Sequence, residues 1–256
     1  MKNILIISNN DDIWLKPAWL SVFKNKNKNK NKDLNFQKII FVPNKLVNKN
    51  FFQTNLYYFL TFGIFNFVKL FLFAIVKKIK KNFSQSKKIE DYIETETYKF
   101  FDIAKLKKEI ELIKPDIIFI TCSYVIPDEL LDTNKNSIWI NKHASLLPLT
   151  KGLFPFIWNV INNRNQGISF HEVTKKIDTG KIIYQEEILE KQSMVTFYKE
   201  IYFSFERYFY NFIYNLEKNI EIDNDGGDYF SLPNKKDLKS FKNKGGKIIS
   251  FRDIYE

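Results

Sequence analysis

The sequence predicts an α/β protein with a mostly parallel sheet, followed by a small C-terminal subdomain. Short apolar runs recur along the chain and alternate with stretches of helical pattern. The run NILIIS at residues 3–8 and the run DIIFIT at 116–121 both end where a polar loop begins. Strands that alternate with helices are typical of parallel sheets, and such sheets bind ligands beyond the carboxyl ends of their strands.

The elements follow from this alternation in chain order. In the first half we predict strands at residues 3–8, 38–43 and 116–121, a helix in WLKPAWLSVFK and an amphipathic helix at about 103–113. In the second half we predict strands in SIWINKH and GISFHEV, a turn at 178–180 before a further strand, and helices in DELLDT, at about 155–163 and at 196–219. Turn signals and short strand-like pieces then predict a boundary between a domain at 1–220 and a subdomain at 221–256.

Composition limits the classes of protein that need to be considered. The chain has 256 residues, 45% of them apolar, which suits one large globular domain or one domain with an appendage. Its net charge of +11 could attract nucleic acid, anionic lipid or phosphorylated small molecules, or simply form a solvated face. Cys122 is the only cysteine, so no disulfide forms within the chain, which fits a reducing cytoplasm. The N-terminus lacks the pattern of a signal peptide and reads as a buried strand.

Residues 56–76 form an apolar segment that is open to three interpretations. The segment is long enough to span a bilayer, but Asn66 and Lys69 lie inside it, and a lysine at the bilayer centre costs about 3 kcal/mol. The sequence KKIKK that follows favours a helix lying on a membrane surface. A run rich in lysine and asparagine at 24–32 is predicted to be a solvated loop. We expect residues 56–76 to form a buried or partly exposed helix without integral membrane insertion.

Three side chains suggest a site for acyl transfer to an amine. Asn141 and His143 are two residues apart at a strand end, so both point to the same side, and Asp178 lies at the turn before Gly180. Asn141 and a protonated His143 could donate hydrogen bonds to the oxyanion that forms when an amine attacks a carbonyl. Asp178 could orient and charge the imidazole, or move the amine proton through water.

Other kinds of chemistry have weaker support in the sequence. No base is identifiable beside Cys122, so covalent catalysis is not expected. Two histidines and one cysteine without metal-ligand spacing predict no metal site. Neither a Walker motif nor a G-x-G-x-x-G motif is present to hold phosphate.

The segment INKHASLLPLTKG, followed by GISFHEVTKKIDTGKIIYQEEI, resembles the formyltransferases that use 10-formyltetrahydrofolate. The resemblance implies a Rossmann-like catalytic domain with Asn141, His143 and Asp178 as catalytic residues, 10-formyltetrahydrofolate as co-substrate and no metal. His171 matches a second histidine of the family, for which we expect a supporting role, whereas Ala144 stands where many members have proline. The resemblance also implies that two loops bind the pterin through Cys122, Ser123, Tyr124, Val125, Ile126, Ile177 and Thr179.

The C-terminal sequence DYFSLPNKKDLKSFKNKGGKI resembles the extension found in sugar-nucleotide N-formyltransferases. This resemblance implies a nucleotide-linked amino sugar as acceptor, specifically a dTDP-linked 3- or 4-amino-dideoxy hexose for surface polysaccharide such as O-antigen or capsule. Candidate substrate contacts are Asn9, Lys142, Tyr229 and Phe230. We expect a cytoplasmic homodimer that binds no nucleic acid beyond the nucleotide. Methionyl-tRNA formylation is one alternative, although the segment after the long helix is expected to be too short to grip tRNA. A non-enzymatic membrane-peripheral protein on the same fold is the other.

Overall fold

The central feature of the fold is a seven-stranded sheet. The structure, a computed structural model, describes residues 1–26, 34–46, 49–83 and 87–255, so the predicted loop at 24–32 lies mostly outside the described residues. The strands run in the spatial order β3-β2-β1-β4-β5-β7-β8, and a two-stranded sheet pairs β6 with β9. Their bounds are β1 Lys2–Asn9, β2 Leu34–Val42, β3 Glu94–Thr97, β4 Ile117–Thr121, β5 Ile138–His143, β6 Thr150–Gly152, β7 Gln166–Glu172, β8 Ile182–Ile188 and β9 Asp228–Phe230.

The strands from β3 through β5 are parallel, and only β7 runs antiparallel to its two neighbours. Every residue of β4 is buried, because helices cover both faces of the sheet. One core lies on each face, the larger of them rich in phenylalanine and tyrosine. The predicted α/β fold with a mostly parallel sheet is therefore confirmed.

Helices pack on both faces of this sheet and continue into the C-terminal segment. Their bounds are α1 Leu15–Asn25, α2 Phe51–Phe62, α3 Ile64–Phe83, α4 Ile103–Ile113, α5 Asp128–Leu131, α6 Pro155–Ile161, α7 Met194–Phe203, α8 Phe205–Glu217, α9 Lys235–Asn243 and α10 Arg252–Tyr255. A single 3-10 turn at Ile89–Asp91 precedes β3.

Two segments that the sequence predicts as single helices are each divided in two. The apolar segment at 56–76 is broken at Gly63, whose φ of 82° lies in a region that favours glycine. Within the described residues, no helix has both the length and the apolar character needed to cross a bilayer. The aromatic helix predicted at 196–219 is broken at Ser204, whose ψ of 4° interrupts the helix and whose hydroxyl bonds the Glu200 carboxylate.

The C-terminal segment packs against the main domain. Strand β9 pairs in parallel with β6, and the ring of Phe241 on α9 meets that of Phe156 on α6 at 5.9 Å. Leu238, Phe241 and Ile254 belong to the same core as the helices that cover the sheet. The boundary between residues 220 and 221 stays a prediction.

Candidate active site

The predicted site residues meet where β5 ends. Asn141 and His143 lie on β5, and the antiparallel register of β7 places His171 directly opposite Asn141. Asp178 follows β7 in the loop that leads to β8. The structure therefore brings the three predicted catalytic side chains, together with the second histidine, into one cluster at the end of the sheet.

Asp178 is the centre of this cluster. Its Oδ2 accepts a hydrogen bond of 2.8 Å from the Gly152 backbone N–H and lies 3.5 Å from His143 Nδ1. Its Oδ1 lies 3.3 Å from His171 Nε2. Burial alone would raise the pKa of Asp178, but the two histidines and the Gly152 N–H outweigh it and hold that pKa below its usual value. The carboxylate is therefore ionised at neutral pH.

Two residues that the sequence analysis did not identify hold Asp178 in place, Gly152 through the carboxylate and Asn224 through the backbone. Gly152 must be glycine, because a Cβ there would lie 2.2 Å from the Phe230 carbonyl oxygen. Buried Asn224 donates through Nδ2 to the carbonyls of Asp178, at 3.0 Å, and of Gly180, at 2.8 Å. These bonds fix a turn in which Asp178 has a positive φ of 52°.

The hydrogen bonds of His143 define its tautomer. Its Nε2 lies 2.8 Å from the Thr150 carbonyl oxygen, which can only accept, so Nε2 carries a proton. Burial lowers the pKa of His143, and the attraction of Asp178 offsets this only in part. The lowered pKa favours the neutral ring, in which Nε2 carries the proton and Nδ1 the lone pair. A neutral ring of this tautomer can accept a proton through Nδ1. The protonated donor expected from the sequence stays a prediction.

His171 connects Asn141 to Asp178. Its Nδ1 lies 2.7 Å from the Glu172 carbonyl oxygen and must donate to it. Its Nε2 lies 3.2 Å from Asn141 Nδ2 and 3.3 Å from Asp178 Oδ1. A neutral ring accepts from the amide of Asn141, whereas a protonated ring donates to Asp178. Nε2 can make only one of these two bonds at a time, so His171 contacts both neighbours but hydrogen-bonds one of them in each state. Its supporting role stays a prediction.

The turn after His143 is internally bonded. Ser145 is fully buried, its hydroxyl accepts from Asn159 Nδ2 at 3.2 Å, and its carbonyl accepts from Ser169 Oγ at 2.7 Å. Ser145 therefore stabilises the turn.

A cleft of about 220 Å³ opens over the cluster. Of the predicted pterin-binding residues, Thr179 does not line it, since its hydroxyl bonds the Lys176 carbonyl at 3.0 Å. The sequence analysis did not identify Gly152, Leu153 or the residues at 173–176, which also line the cleft. The predicted residues that do line it are Cys122, Ser123, Tyr124, Val125, Ile126 and Ile177.

The four candidate substrate contacts divide into two pairs. Lys142 and Tyr229 line the cleft. Asn9 instead exchanges hydrogen bonds of 3.3 and 3.4 Å with the backbone and hydroxyl of Ser123, and therefore braces the loop at 122–126. Phe230 stacks on Trp158 of α6 with ring centroids 4.7 Å apart, and it does not line the cleft.

The cluster contains acidic and imidazole side chains, but its geometry does not suit a metal. In the part of the chain that the structure describes, no group of three His, Cys, Asp or Glu residues could hold a metal ion. The arrangement is instead one of a neutral imidazole between a carbonyl and a carboxylate, beside an amide. Such a group can accept a proton and stabilise developing negative charge.

Known proteins with similar sequences include methionyl-tRNA formyltransferases. A methionyl-tRNA formyltransferase of Prochlorococcus marinus (strain NATL2A) is 38% identical over 89 residues, which cover 34% of this chain and 26% of that protein. That of Ureaplasma parvum serovar 3 is 31% identical over 136 residues, covering 49% and 44%. The bifunctional polymyxin resistance protein ArnA of Wigglesworthia glossinidia brevipalpis is 32% identical over 134 residues, covering 49% and 20%. The chain thus spans less than half the length of these relatives.

Similar solved structures cover nearly the whole chain. A 4-N formyltransferase from Francisella tularensis has a TM-score of 0.55 at 20% identity and covers 98% of this chain and 84% of its own. A sugar N-formyltransferase from Shewanella sp. FDAARGOS_354 has a TM-score of 0.56 at 17% identity and covers 95% and 88%. At these identities the likeness shows the fold. The sequence model of the family described as Formyl transferase matches residues 77–208, just over half of the chain, and the chain therefore belongs to that family, as the resemblance predicted.

Proposed function

We propose that this protein transfers a formyl group from 10-formyltetrahydrofolate to the amino group of a nucleotide-linked amino sugar. The observation that carries the proposal is the cluster of Asn141, His143 and Asp178 at the base of the cleft, with a neutral imidazole beside a buried carboxylate. Membership of the Formyl transferase family supports the group transferred. The sugar N-formyltransferases among the similar structures support the class of acceptor.

The wall of the cleft suits a flat, largely apolar donor. Val125 and Ile177, on the two loops predicted to bind the pterin, expose 55% and 43% of their surface. Apolar side chains together with a few placed polar groups are typical of pockets for small molecules. When bound there, 10-formyltetrahydrofolate would supply the formyl group.

The proposed mechanism uses each polar side chain of the cluster in a separate role. Asn141 Nδ2 donates a hydrogen bond to the formyl oxygen as negative charge develops on it. His143 Nδ1 accepts the proton that the amine loses as its nitrogen bonds to the formyl carbon. Asp178 Oδ2, at 3.5 Å, then stabilises the imidazolium, while the bond from Nε2 to Thr150 prevents the ring from turning. The same proton would pass to the tetrahydrofolate nitrogen as the bond between that nitrogen and the formyl carbon breaks.

The finer identity of the acceptor is also a proposal. We favour a dTDP-linked 3- or 4-amino-dideoxy hexose that is used for surface polysaccharide such as O-antigen or capsule. The half-exposed ring of Tyr229 in the cleft wall could stack on the base, and the net charge of +11 suits a diphosphate. The single cysteine supports a reducing cytoplasm. Exposed Phe203 and Tyr214, on α7 and α8, are candidates for a homodimer interface.

Methionyl-tRNA is a second candidate acceptor. Two of the relatives named above, which are 38% and 31% identical to this chain over the matched residues, are methionyl-tRNA formyltransferases. The basic charge of the chain would suit tRNA equally well.

An acceptor panel distinguishes the two candidates. The purified protein is incubated with 10-formyltetrahydrofolate and with dTDP- or UDP-linked 3-amino or 4-amino sugars, or with methionyl-tRNA, and N-formyl products are identified by mass spectrometry. We expect formylation of an amino sugar by the wild-type protein and none by Asp178→Asn, a variant that keeps the side-chain shape. Formylation of tRNA alone would favour the second candidate, and formylation of neither class would overturn the proposal.

A further inference from the structure

The surface formed by α2 and α3 is unusually apolar. Twelve large hydrophobic side chains between residues 51 and 79 are exposed there, and Phe65 exposes 82% of its surface. Monomeric soluble proteins rarely expose a contiguous apolar patch of more than a few hundred Å². We call this surface, made of the exposed side chains of residues 51–79, the α2–α3 face.

Helix α3 has apolar side chains on two opposite faces. Leu70, Phe73 and Val76 pack against the core of the protein. Exposed Ile64, Val68, Phe71, Ile75 and Ile79 recur at intervals of three and four residues, so they form one stripe along the other side. The first face covers the core, whereas the second stripe stays largely exposed among the residues that the structure describes.

The sequence around the α2–α3 face is strongly basic. Residues 34–89 contain ten lysines and neither Asp nor Glu. A groove beside α3, with a volume of about 450 Å³, is lined by Lys69, Lys242 and Lys247. In the described part of the chain, no carboxylate lies within 4.0 Å of these three ammonium groups. Phe251, exposed at the same groove, lies 4.0 Å beneath the Lys69 ammonium and extends the apolar surface.

We infer that the α2–α3 face and its lysine-lined groove dock on the surface of a bilayer that contains anionic lipid. Apolar side chains would enter the boundary between headgroups and acyl chains while the lysines contact lipid phosphates. A second copy of the chain is a poorer partner, because a two-fold contact would bring two lysine-rich segments together without any acidic residue from 34–89 to balance them. The docking does not depend on which acceptor is formylated.

Vesicle flotation tests this docking on the purified full chain. We expect the protein to float with vesicles of phosphatidylcholine and phosphatidylglycerol, to bind pure phosphatidylcholine more weakly, and to lose binding as salt is raised. The double variant Phe65→Asp/Phe71→Asp should bind about tenfold less or weaker still, because two charged groups would have to enter the interface. Leu112→Asp is the matched control, since Leu112 is also apolar, helical and 76% exposed but lies on α4, and its binding should not change.

A second pair of variants tests the groove separately from the apolar stripe. Lys242→Glu/Lys247→Glu should weaken binding to the anionic vesicles and leave binding to neutral vesicles unchanged. Urea unfolding should show that all variants are folded. The inference is overturned if the wild-type protein floats with neither kind of vesicle, or if Leu112→Asp loses as much binding as Phe65→Asp/Phe71→Asp. A second copy would be the partner, and the inference overturned, if the wild type is a dimer that binds no vesicles and Phe65→Asp/Phe71→Asp is a monomer in sedimentation velocity.

Discussion

Two lysines of the central sheet have opposite surroundings. Lys38, in the middle of β2, is buried with its Nζ 3.1 Å from Glu94, 2.8 Å from Glu96 and 3.0 Å from Glu109. Lys142, on β5, contacts the Tyr202 hydroxyl at 3.2 Å. Among the described residues, no carboxylate lies within 4.0 Å of the Lys142 ammonium.

The pKa values follow from these surroundings. Burial would lower the pKa of Lys38, but its three carboxylates outweigh that effect and raise it. Burial lowers the pKa of Lys142 to about 8, and the more distant Asp11 raises it only in part. The difference indicates that the charge of Lys38 stabilises the folded state, whereas the charge of Lys142 destabilises it. The charge of Lys142 also lowers the pKa of its neighbour His143.

The largest expected effect is loss of activity at the site beside Lys142. His143→Asn removes the proton acceptor, and general-base catalysis contributes about 10²–10⁴ in rate, so kcat should fall by about 10³. Circular dichroism and urea unfolding would establish that the variant is folded. Turnover within tenfold of the wild-type protein would exclude His143 as the base.

Lys38→Met should have its effect on stability and not on activity. Removing the ammonium leaves three carboxylates close together, and breaking a buried ion pair typically costs about 3–5 kcal/mol. We expect the free energy of unfolding to fall by about 3 kcal/mol, the lower end of that range, because the Glu94 carboxylate is exposed to water. Urea unfolding measures the loss, and kcat at pH 7 should match the wild type. Glu94→Gln is the control, because this pair is exposed at the carboxylate and should cost less than about 1 kcal/mol. Equal losses in the two variants would contradict the structural role of Lys38.

Lys142→Met should change the pH dependence of formyl transfer. The positive charge of Lys142 lowers the pKa of His143, so removing it should raise that pKa. A base with a higher pKa stays protonated to higher pH, and the acidic limb of kcat/KM should therefore move to higher pH. Lys142→Arg keeps the charge and should leave the limb in place. A limb that does not move in Lys142→Met would show that Lys142 does not act on the base.

Cys122→Ser should have the smallest effect. Burial raises the pKa of the Cys122 thiol to about 11, although a backbone hydrogen bond at Tyr124 lowers it in part, so the thiolate is scarce at neutral pH. We expect activity within about threefold of the wild type, since thiol and hydroxyl are of similar size. A loss of a hundredfold in a folded variant would instead indicate covalent catalysis.

The sequence was sufficient to predict six of the seven strands of the large sheet, all except β3, and the shared side of Asn141 and His143. Buried strands such as β4 are short apolar runs with polar residues at their carboxyl ends, and this pattern is visible without a structure. The alternation of side chains along β5 likewise predicts that Asn141 and His143 share one side. These features depend on local sequence, which is why they could be read directly.

Features that depend on distant contacts could not be predicted. The hydrogen bond from His143 to Thr150 sets the tautomer, and it depends on how the chain turns back after β5. Asn224 supports the Asp178 turn from 46 residues away, and a single asparagine in a turn-rich segment carries no local signal of that role. The break at Ser204 was missed because a serine within an aromatic helical pattern does not by itself end a helix.

The same substitution at the two lysines tests most directly whether their charges have opposite effects on the fold. Urea unfolding at pH 7 is measured for Lys38→Met and Lys142→Met beside the wild type. At pH 7 Lys142 is protonated in both the folded and the unfolded chain. Because its pKa is lower in the folded chain, this charge destabilises the folded state. The destabilisation disappears once the pH exceeds the unfolded pKa of about 10.4. We therefore predict a lower free energy of unfolding for Lys38→Met and an equal or higher one for Lys142→Met. A comparable loss in both variants would contradict this account.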